Sequence, residues 1–420
     1  MYNHLTNKEP PFPGAFLYPA ESCLMARHRT PPHLVTLILL SGFSPLTLNM
    51  FLPSLGNMAA DLGTGTATLV WAVSGYLAVT AVLQLVIGPL SDRIGRRRVL
   101  LAALAIFTIG SVGCVLAQDV WTFLIFRILQ GGASAGYTLS MAIVRDTRDE
   151  AEAVSLIGYI GMAMAIGPLL GPMIGGLMDT WLGWRSIFVF YCLYGAGLLL
   201  LCWHDLGETS DLRGRGAERP PLRELLSEPA FWAYALCSAF SVGGFYIFLT
   251  GTPIVASGSF GITAATLGFF LGSITIGFMA GGFLAGRFGA RIGVVKTILT
   301  GRIAACVGVL VGLVLFLAGV LSPVVFVASA ICVGLGNGIS MPGSNTGAMS
   351  VRPALAGSAA GLSGAMIVGG GAVMTAITGF VVPEEGGAVA VLGLMFLSTV
   401  AALICALWAA ALAARPRART

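Results

Sequence analysis

Residues 88–97 read GPLSDRIGRR, and residues 282–291 read GFLAGRFGAR. Laid over one another without a gap they match Gly88 with Gly282, Leu90 with Leu284, Arg93 with Arg287, Gly95 with Gly289 and Arg97 with Arg291, at a constant offset of 194. Each copy follows the second long apolar run of its own half of the chain, so the halves are direct repeats that run in the same sense. Parallel six-span repeats are a recurring plan among membrane transporters, with the ligand site between them near mid-membrane.

Outward from these loops the 420-residue chain is apolar: 56% of residues are hydrophobic and 10% are charged, against roughly 25% charged in soluble domains. Such a composition excludes an ordinary soluble fold. About 20 apolar residues cross a bilayer as a helix, and twelve such runs are present, at 34–59, 67–89, 99–118, 121–144, 153–178, 184–203, 229–251, 264–286, 293–319, 323–345, 354–382 and 388–413. No ten-residue alternating strands occur, so the expected fold is all-α and polytopic. The longest hydrophilic break, HDLGETSDLRGRGAERPPLRELLSE at 204–228, lies between the sixth and seventh spans. The expected organisation is a disordered tail (1–33), a six-helix half (34–203), a central loop (204–228), a second six-helix half (229–413) and a basic tail (414–420).

With an even number of spans both termini lie on one face, and 20 of the 23 Lys and Arg fall on that face. Arg185 stands alone on the other, while Arg127 and Arg302 lie within spans. The positive-inside rule makes the basic face cytoplasmic. The net charge of +5 is spread over these short loops, a topology signal and no nucleic-acid footprint. Residues 1–30 lack the apolar core of a cleaved signal peptide, and Met25 opens MARHRTPP, a compact basic leader and an alternative start. Arg outnumbers Lys 21 to 2, as in GC-rich bacterial genomes. The eight cysteines show no CxxC or metal-ligand spacing and suit packing.

The loop residues Gly88, Asp92, Arg93, Gly95, Arg96 and Arg97 match the loop signature of the major facilitator superfamily. RILQGGASAG from Arg127 resembles its fourth-helix signature, and GMAMAIGPLLGPMIGG at 161–176 its fifth-helix antiporter signature. More narrowly, the P-L-x-L-x-M-F-L-P pattern from Pro45, SEPAFWAY at 227–234 and MPGSNTGAMSVRPALAGSAAGLSGA at 341–365 are similar to the Bcr/CflA drug-exporter group. The resemblance implies two parallel six-helix repeats in a bacterial inner membrane. It also implies export of small amphipathic drug-like molecules by alternating access, with a proton as counter-ion, lipid as surroundings, the monomer as working unit and no cofactor. A facilitative or exchange exporter of a metabolite uses the same scaffold. A sensor or enzyme would need a catalytic constellation, and the sequence offers no paired deep carboxylates, no HExxH and no serine–histidine cluster, for His4, His28, His33 and His204 all lie outside the helical cores.

Several residues bear on transport. In the loop, Gly88 and Gly95 permit tight turning; Asp92 is either a latch that pairs with an arginine or a helix N-terminus, or part of a topology anchor with Arg96 and Arg97. At the 194 offset the second copy has Gly286 in the place of Asp92. In the fifth span Gly167, Gly171 and Gly175 recur every four residues and form a flat stripe for close helix approach. Pro168 and Pro172 soften that helix, which suits a gate between the halves. In the fourth span Arg127, Gln130, Ser134 and Tyr137 line one face. A buried guanidinium needs a cavity or a partner, so Arg127 is expected to face the central cavity, and the resemblance assigns it to proton coupling or substrate contact. Arg302 either snorkels or is structural. Tyr234, Ser238, Ser241, Phe245 and Phe248 give the seventh span an aromatic and hydroxyl face for a lipophilic ligand, or for packing. Tyr76 of the second span joins the substrate candidates. Asn337 and Asn345 read as helix contacts in the tenth span.

A proton antiporter needs a titratable group in the membrane. All 18 acids lie in tails, loops or near helix ends. Relatives carry an acid in the first span where this chain has Asn49, between Pro45 and Pro53. At four-residue spacing these three drift by about 40° per step and share a face expected to turn toward the cavity. A displaced coupling site would fall on Asp61, Asp119 or Asp179 at the outer side, or on Asp92 or Asp146 at the inner side.

Overall fold

The computed structural model describes residues 32–147, 150–209, 222–256, 262–352, 355–383 and 386–414, and every regular element in them is a helix. The first span comprises α1 (Leu34–Asn49), a 3-10 turn at Leu52–Ser54 and α2 (Leu55–Asp61). The second is α3 (Thr66–Leu69) and α4 (Trp71–Ile94), and the third α5 (Arg96–Leu116). The fourth joins α6 (Val120–Leu129) to α7 (Ser134–Thr147) through a 3-10 turn at Gln130–Ala133; α8 (Glu150–Leu182) and α9 (Arg185–Asp205) complete the first half. After the short α10 (Leu222–Leu226), spans seven to twelve are α11 (Pro229–Val255), α12 (Ala264–Ile292), α13 (Val294–Leu317), α14 (Pro323–Ser350), α15 (Ala356–Val381) and α16 (Ala388–Ala413). Among the described residues ten of these twelve spans are long and apolar enough to cross a membrane by length and composition; the other two are the divided fourth span and the 33-residue α8.

The proline pattern of the first span explains its break. Pro53 has no N–H, so it cannot continue the α-ladder; it sits instead near the start of the 3-10 turn. The last α1-type bond runs from the Met50 N–H to the Leu46 carbonyl, 3.0 Å, which leaves the Thr47 carbonyl as the first without a helical donor. Pro45, Asn49 and Pro53 therefore do not share one continuous helical face, because the helix ends between the second and the third.

The loop repeat has a different register from the one its identities suggest. Gly95 (φ 105°) ends α4 and Gly293 (φ 90°) ends α12, each in a left-handed conformation that favours glycine. Their amides close the helices alike, Gly95 on Ser91 (3.0 Å) and Gly293 on Gly289 (2.9 Å), and the next helix starts at once. Gly289 lies inside α12. The structural equivalents are thus Arg93-Ile94-Gly95 and Arg291-Ile292-Gly293, 198 residues apart, and Ala290 rather than Gly286 occupies the place of Asp92.

The glycines of α8 pack within the first half. A Cβ at Gly175 would collide with the Met50 carbonyl, one at Gly167 would come 2.7 Å from the Leu46 nitrogen, and one at Gly171 would touch the Asn49 Cβ at 3.6 Å. The stripe read as a gate between halves is the seat of the first span. The opposite side of α8 meets the second half: a Cβ at Gly272 of α12 would come 2.6 Å from the Leu169 carbonyl, and Gly268 and Gly176 stand equally tight against the Pro172 and Ala264 carbonyls. A second junction joins α4 to α15, with Val70 3.1 Å from a Cβ at Gly379 and the Trp71 and Phe380 rings edge to face at 5.4 Å. The contacts between the halves lie in the part of the bundle away from the loops of residues 95 and 293. Toward those loops the junction loosens to 3.4 Å at Gly364–Gln84, and Gly88, Gly282, Gly286 and Gly361 face open space. The halves converge at one end and part toward the basic end.

Candidate substrate and coupling site

The freed Thr47 carbonyl is the centre of a buried cluster. Arg127 Nη2 donates to it at 2.9 Å and the Tyr191 hydroxyl at 3.1 Å. Arg127 Nη1 donates to Gln130 Oε1, whose amide donates to the Ser111 hydroxyl at 2.8 Å. The guanidinium carbon lies 4.3 Å from the Phe51 ring centroid and 4.6 Å from that of Tyr76, an aromatic clamp that suits a desolvated cation. The Tyr76 hydroxyl is 3.2 Å from that of Ser44. Arg127 and Gln130 are both 0% exposed, so the guanidinium does not face a cavity. Burying it costs several kcal/mol, offset by the carbonyl, the amide and two ring faces.

The 3-10 turn at Gln130–Ala133 disrupts the face read from the fourth span. Arg127 and Gln130 turn into the cluster, the Ser134 hydroxyl closes on the Gly131 carbonyl (2.9 Å), and Tyr137 is half-buried. Asn49 is 1% exposed; its Nδ2 donates to the Pro45 carbonyl at 2.6 Å, while its Oδ1 is buried without a hydrogen bond. It packs on Gly171 and does not open toward the space between the halves.

A related cluster occupies the second half. Arg302 Nη2 donates to Asn337 Oδ1 at 2.9 Å, and Asn337 Nδ2 donates to the Ser241 carbonyl at 3.0 Å. Arg302 is 0% exposed, so it does not snorkel. The face read on the seventh span turns largely into α14: Ser238 bonds Asn345 (3.2 Å), Tyr234 covers Gly347, and Phe248 meets Phe326 at 5.7 Å. Phe245 is half-buried against Tyr246. Packing takes up Tyr234 and Phe248 because α14 sets Gly347 and the Phe326 ring opposite them.

At the basic end Gly95 is favoured by its backbone, at φ 105°, and the Glu208 carboxylate packs directly against it. Glu208 Oε1 accepts from the Arg96 amide at 2.8 Å, so the start of the central loop caps α5. Arg97 donates to the Trp203 carbonyl (2.9 Å) and lies 5.3 Å from that ring, Arg96 Nη1 reaches Ser91 (3.3 Å), and Arg93 is exposed. The side chains of Asp92 and Asp146 lie outside the described residues. Pro168 is half-buried on α8, and Pro172 is buried against α12. At the other end Asp119 caps α6 and accepts from Trp121 N, Thr122 N and Thr122 Oγ1; the Thr122 hydroxyl chiefly holds its carboxyl below the usual range. The exposed Arg185 pairs with Asp61 and donates to the Ala117 carbonyl (3.1 Å). The sequence signals missed Ser111, Tyr191 and Glu208, because what joins them to the site is a freed carbonyl and a helix start, neither of which is a side-chain motif.

Two bundles that meet at one end, with a buried arginine cluster under a broken first helix, make an all-helical protein with the spans of a polytopic membrane protein. A family model described as Major Facilitator Superfamily matches residues 37–375, and the chain belongs to that family. It is 37% identical over 241 residues to the "Chloramphenicol resistance protein" of Pseudomonas aeruginosa (56% of this chain, 57% of the relative) and 32% identical over 262 residues to the "Uncharacterized MFS-type transporter YdgK" of Bacillus subtilis (60% and 65%). The chain thus spans less than two thirds of either relative. It is 27% identical over 373 residues to "Multidrug resistance protein D" of Escherichia coli, covering 86% of this chain and 92% of that one. Among solved structures, the nucleoside transporter NupG gives a TM-score of 0.69 at 15% identity (90% and 99% covered). A bacterial homolog of the human lysosomal transporter Spinster, inward-facing and occupied, gives 0.68 at 16% (90% and 96%). These two likenesses concern the fold.

Proposed function

We propose that this chain exports small amphipathic drug-like molecules from the cytoplasm of a bacterium, as a monomer in the inner membrane, by alternating access. In this reading residues 34–203 and 229–413 rock as two bodies linked by 204–228, and the basic end faces the cytoplasm. The observation that carries the reading is the uneven junction: α8 and α12 are packed backbone-close at one end, where Val70 and Trp71 also stand against Gly379 and Phe380 of α15, while glycines on α4, α12 and α15 face open space toward the other. Such a shape admits ligand from the basic side and needs a second, oppositely closed state to release it. Relatives named for resistance to chloramphenicol and multiple drugs support the substrate class. Half-buried Ser44, Gln84, Tyr137, Tyr234, Phe245 and Asn345 are the groups we assign to ligand contact. Uptake and efflux by vesicles loaded with an amphenicol, other antibiotics or sugars test this; flux of an antibiotic is expected, and flux of sugars alone rejects it.

Proton antiport is the first reading of the coupling. A second, exchange or uncoupled efflux, is favoured by Asn49, whose amide donates to the Pro45 carbonyl as a protonated carboxyl would, but permanently. A pH gradient of either sign that leaves every antibiotic flux unchanged rejects antiport and selects the second.

A further inference from the structure

Residues 67–74 of the first half and 376–380 of the second enclose a cavity of about 190 Å³, walled by Val70, Trp71 and Ser74 on one side and by Ala376, Gly379 and Phe380 on the other. Its mouth is framed by the Trp71 and Phe380 rings, edge to face at 5.4 Å and both exposed. Trp71 opens the 24-residue α4 and so lies about 36 Å from the basic end at 1.5 Å per residue; Phe380 is next to last in the 26-residue α15. Both rings therefore stand at the far boundary of a hydrocarbon core about 30 Å thick, where tryptophan is favoured, and look onto lipid. The walls carry no charge, and the Ser74 hydroxyl is turned to the Val70 carbonyl at 3.4 Å. Water needs two to four polar partners to stay in such a space, and a drug-sized ligand needs about 300 Å³ or more. Apolar voids of about 150 Å³ stay dry and take up small apolar groups. Beside lipid an empty void forfeits dispersion contacts along its walls, and the end of a neighbouring hydrocarbon chain restores them.

We propose that this cavity holds the end of one phospholipid acyl chain from the adjacent leaflet, with half-buried Thr68, on the headgroup side of Trp71, placed for the ester carbonyl. The walls come from both halves, so the chain end touches both at once. Any movement that parts residues 70–74 from 376–380 must expel it. The site requires only that these two spans lie in a bilayer, and it holds whatever the chain transports.

The probe is a phosphatidylcholine carrying a diazirine at the end of one acyl chain, in vesicles that hold the full-length protein; after irradiation the adducts are mapped by peptide mass spectrometry. Ordinary boundary lipid marks residues in proportion to their exposure, and Ile106 of α5, exposed on a span outside the cavity, is the reference. Buried Ser74 and half-buried Ala376 are expected to be marked several-fold more than Ile106 despite their lower exposure. Ala376→Phe fills the cavity and is expected to abolish the excess at Ser74 while leaving Ile106 unchanged. Should that variant fail to fold, Ser74→Leu fills it from the other wall and is read at Ala376. Marking that merely follows exposure in the wild type, an excess that survives the filled cavity, or an excess that unlabelled phosphatidylcholine does not dilute overturns the proposal.

Discussion

Each half buries one arginine under its first helix, and the two are held differently. Arg127 reaches the Thr47 carbonyl directly, where prolines break the first span, and is further clamped by Gln130, Phe51 and Tyr76. Arg302 reaches the Ser241 carbonyl of an unbroken α11 only through Asn337, and its Nε and Nη1 are buried without a hydrogen bond. A carbonyl in a continuous helix already serves a helical donor and offers one spare lone pair; a freed carbonyl accepts both Arg127 and Tyr191. The broken helix thus makes the cation site, and the better-satisfied arginine marks the half where helix geometry has been altered.

The largest effect expected from this contrast is on stability. Arg127→Met leaves the Thr47 carbonyl and Gln130 short of donors and is expected to cost about 3 kcal/mol or more. Arg302→Met removes a poorly satisfied cation and orphans one amide oxygen, for about 1 kcal/mol. Unfolding of the purified proteins in mild detergent measures both, and equal losses would break the comparison.

Next comes Gly175→Ala. A Cβ there meets the Met50 backbone, which cannot rotate away, so α1 must shift off α8 at about 2 kcal/mol. Gly282→Ala of α12 adds its Cβ to open space in the second half and is expected to be neutral or slightly stabilising. Antibiotic flux should fall in the first variant and persist in the second.

Asn49→Asp tests chemistry more than stability. The acid form keeps a donor for the Pro45 carbonyl, whereas the anion faces that carbonyl in a site with 1% exposure. The variant is therefore expected to gain a dependence of efflux on the pH gradient, beyond any that wild type has. The same flux–pH profile in both would show that the first span carries no coupling role.

The sequence made the architecture legible because twenty-residue apolar runs and asymmetrically placed arginines have few physical explanations. Stripes were legible as well, but not their partners. Gly167, Gly171 and Gly175 announce close approach without saying to what, and the answer, the first span, places the second-half contacts on the other side of α8. Identity misled where backbone geometry decides: Gly289 matches Gly95 by letter, yet Gly293 holds the left-handed turn. Arg127 was visible as an anomaly, but its partner is a carbonyl freed where α1 ends at Asn49, and main-chain acceptors leave no residue signature.

The smallest expected effect lies at the paired helix starts. α5 and α13 both follow a glycine turned to positive φ, but the Arg96 amide at the start of α5 is capped by Glu208, while among the described residues no side chain accepts from the first amides of α13. Glu208→Ala should therefore bring the two starts level. The loss is about 1 kcal/mol, the usual worth of an N-cap with a carboxylate at a helix N-terminus. Hydrogen exchange of the first turn of α5 is expected to speed up to the rate of the first turn of α13, with no change in α13 itself. If α5 stays protected, the glycine turn and the Arg97–Trp203 contact suffice to hold that helix, and the central loop is not part of the signature-loop assembly.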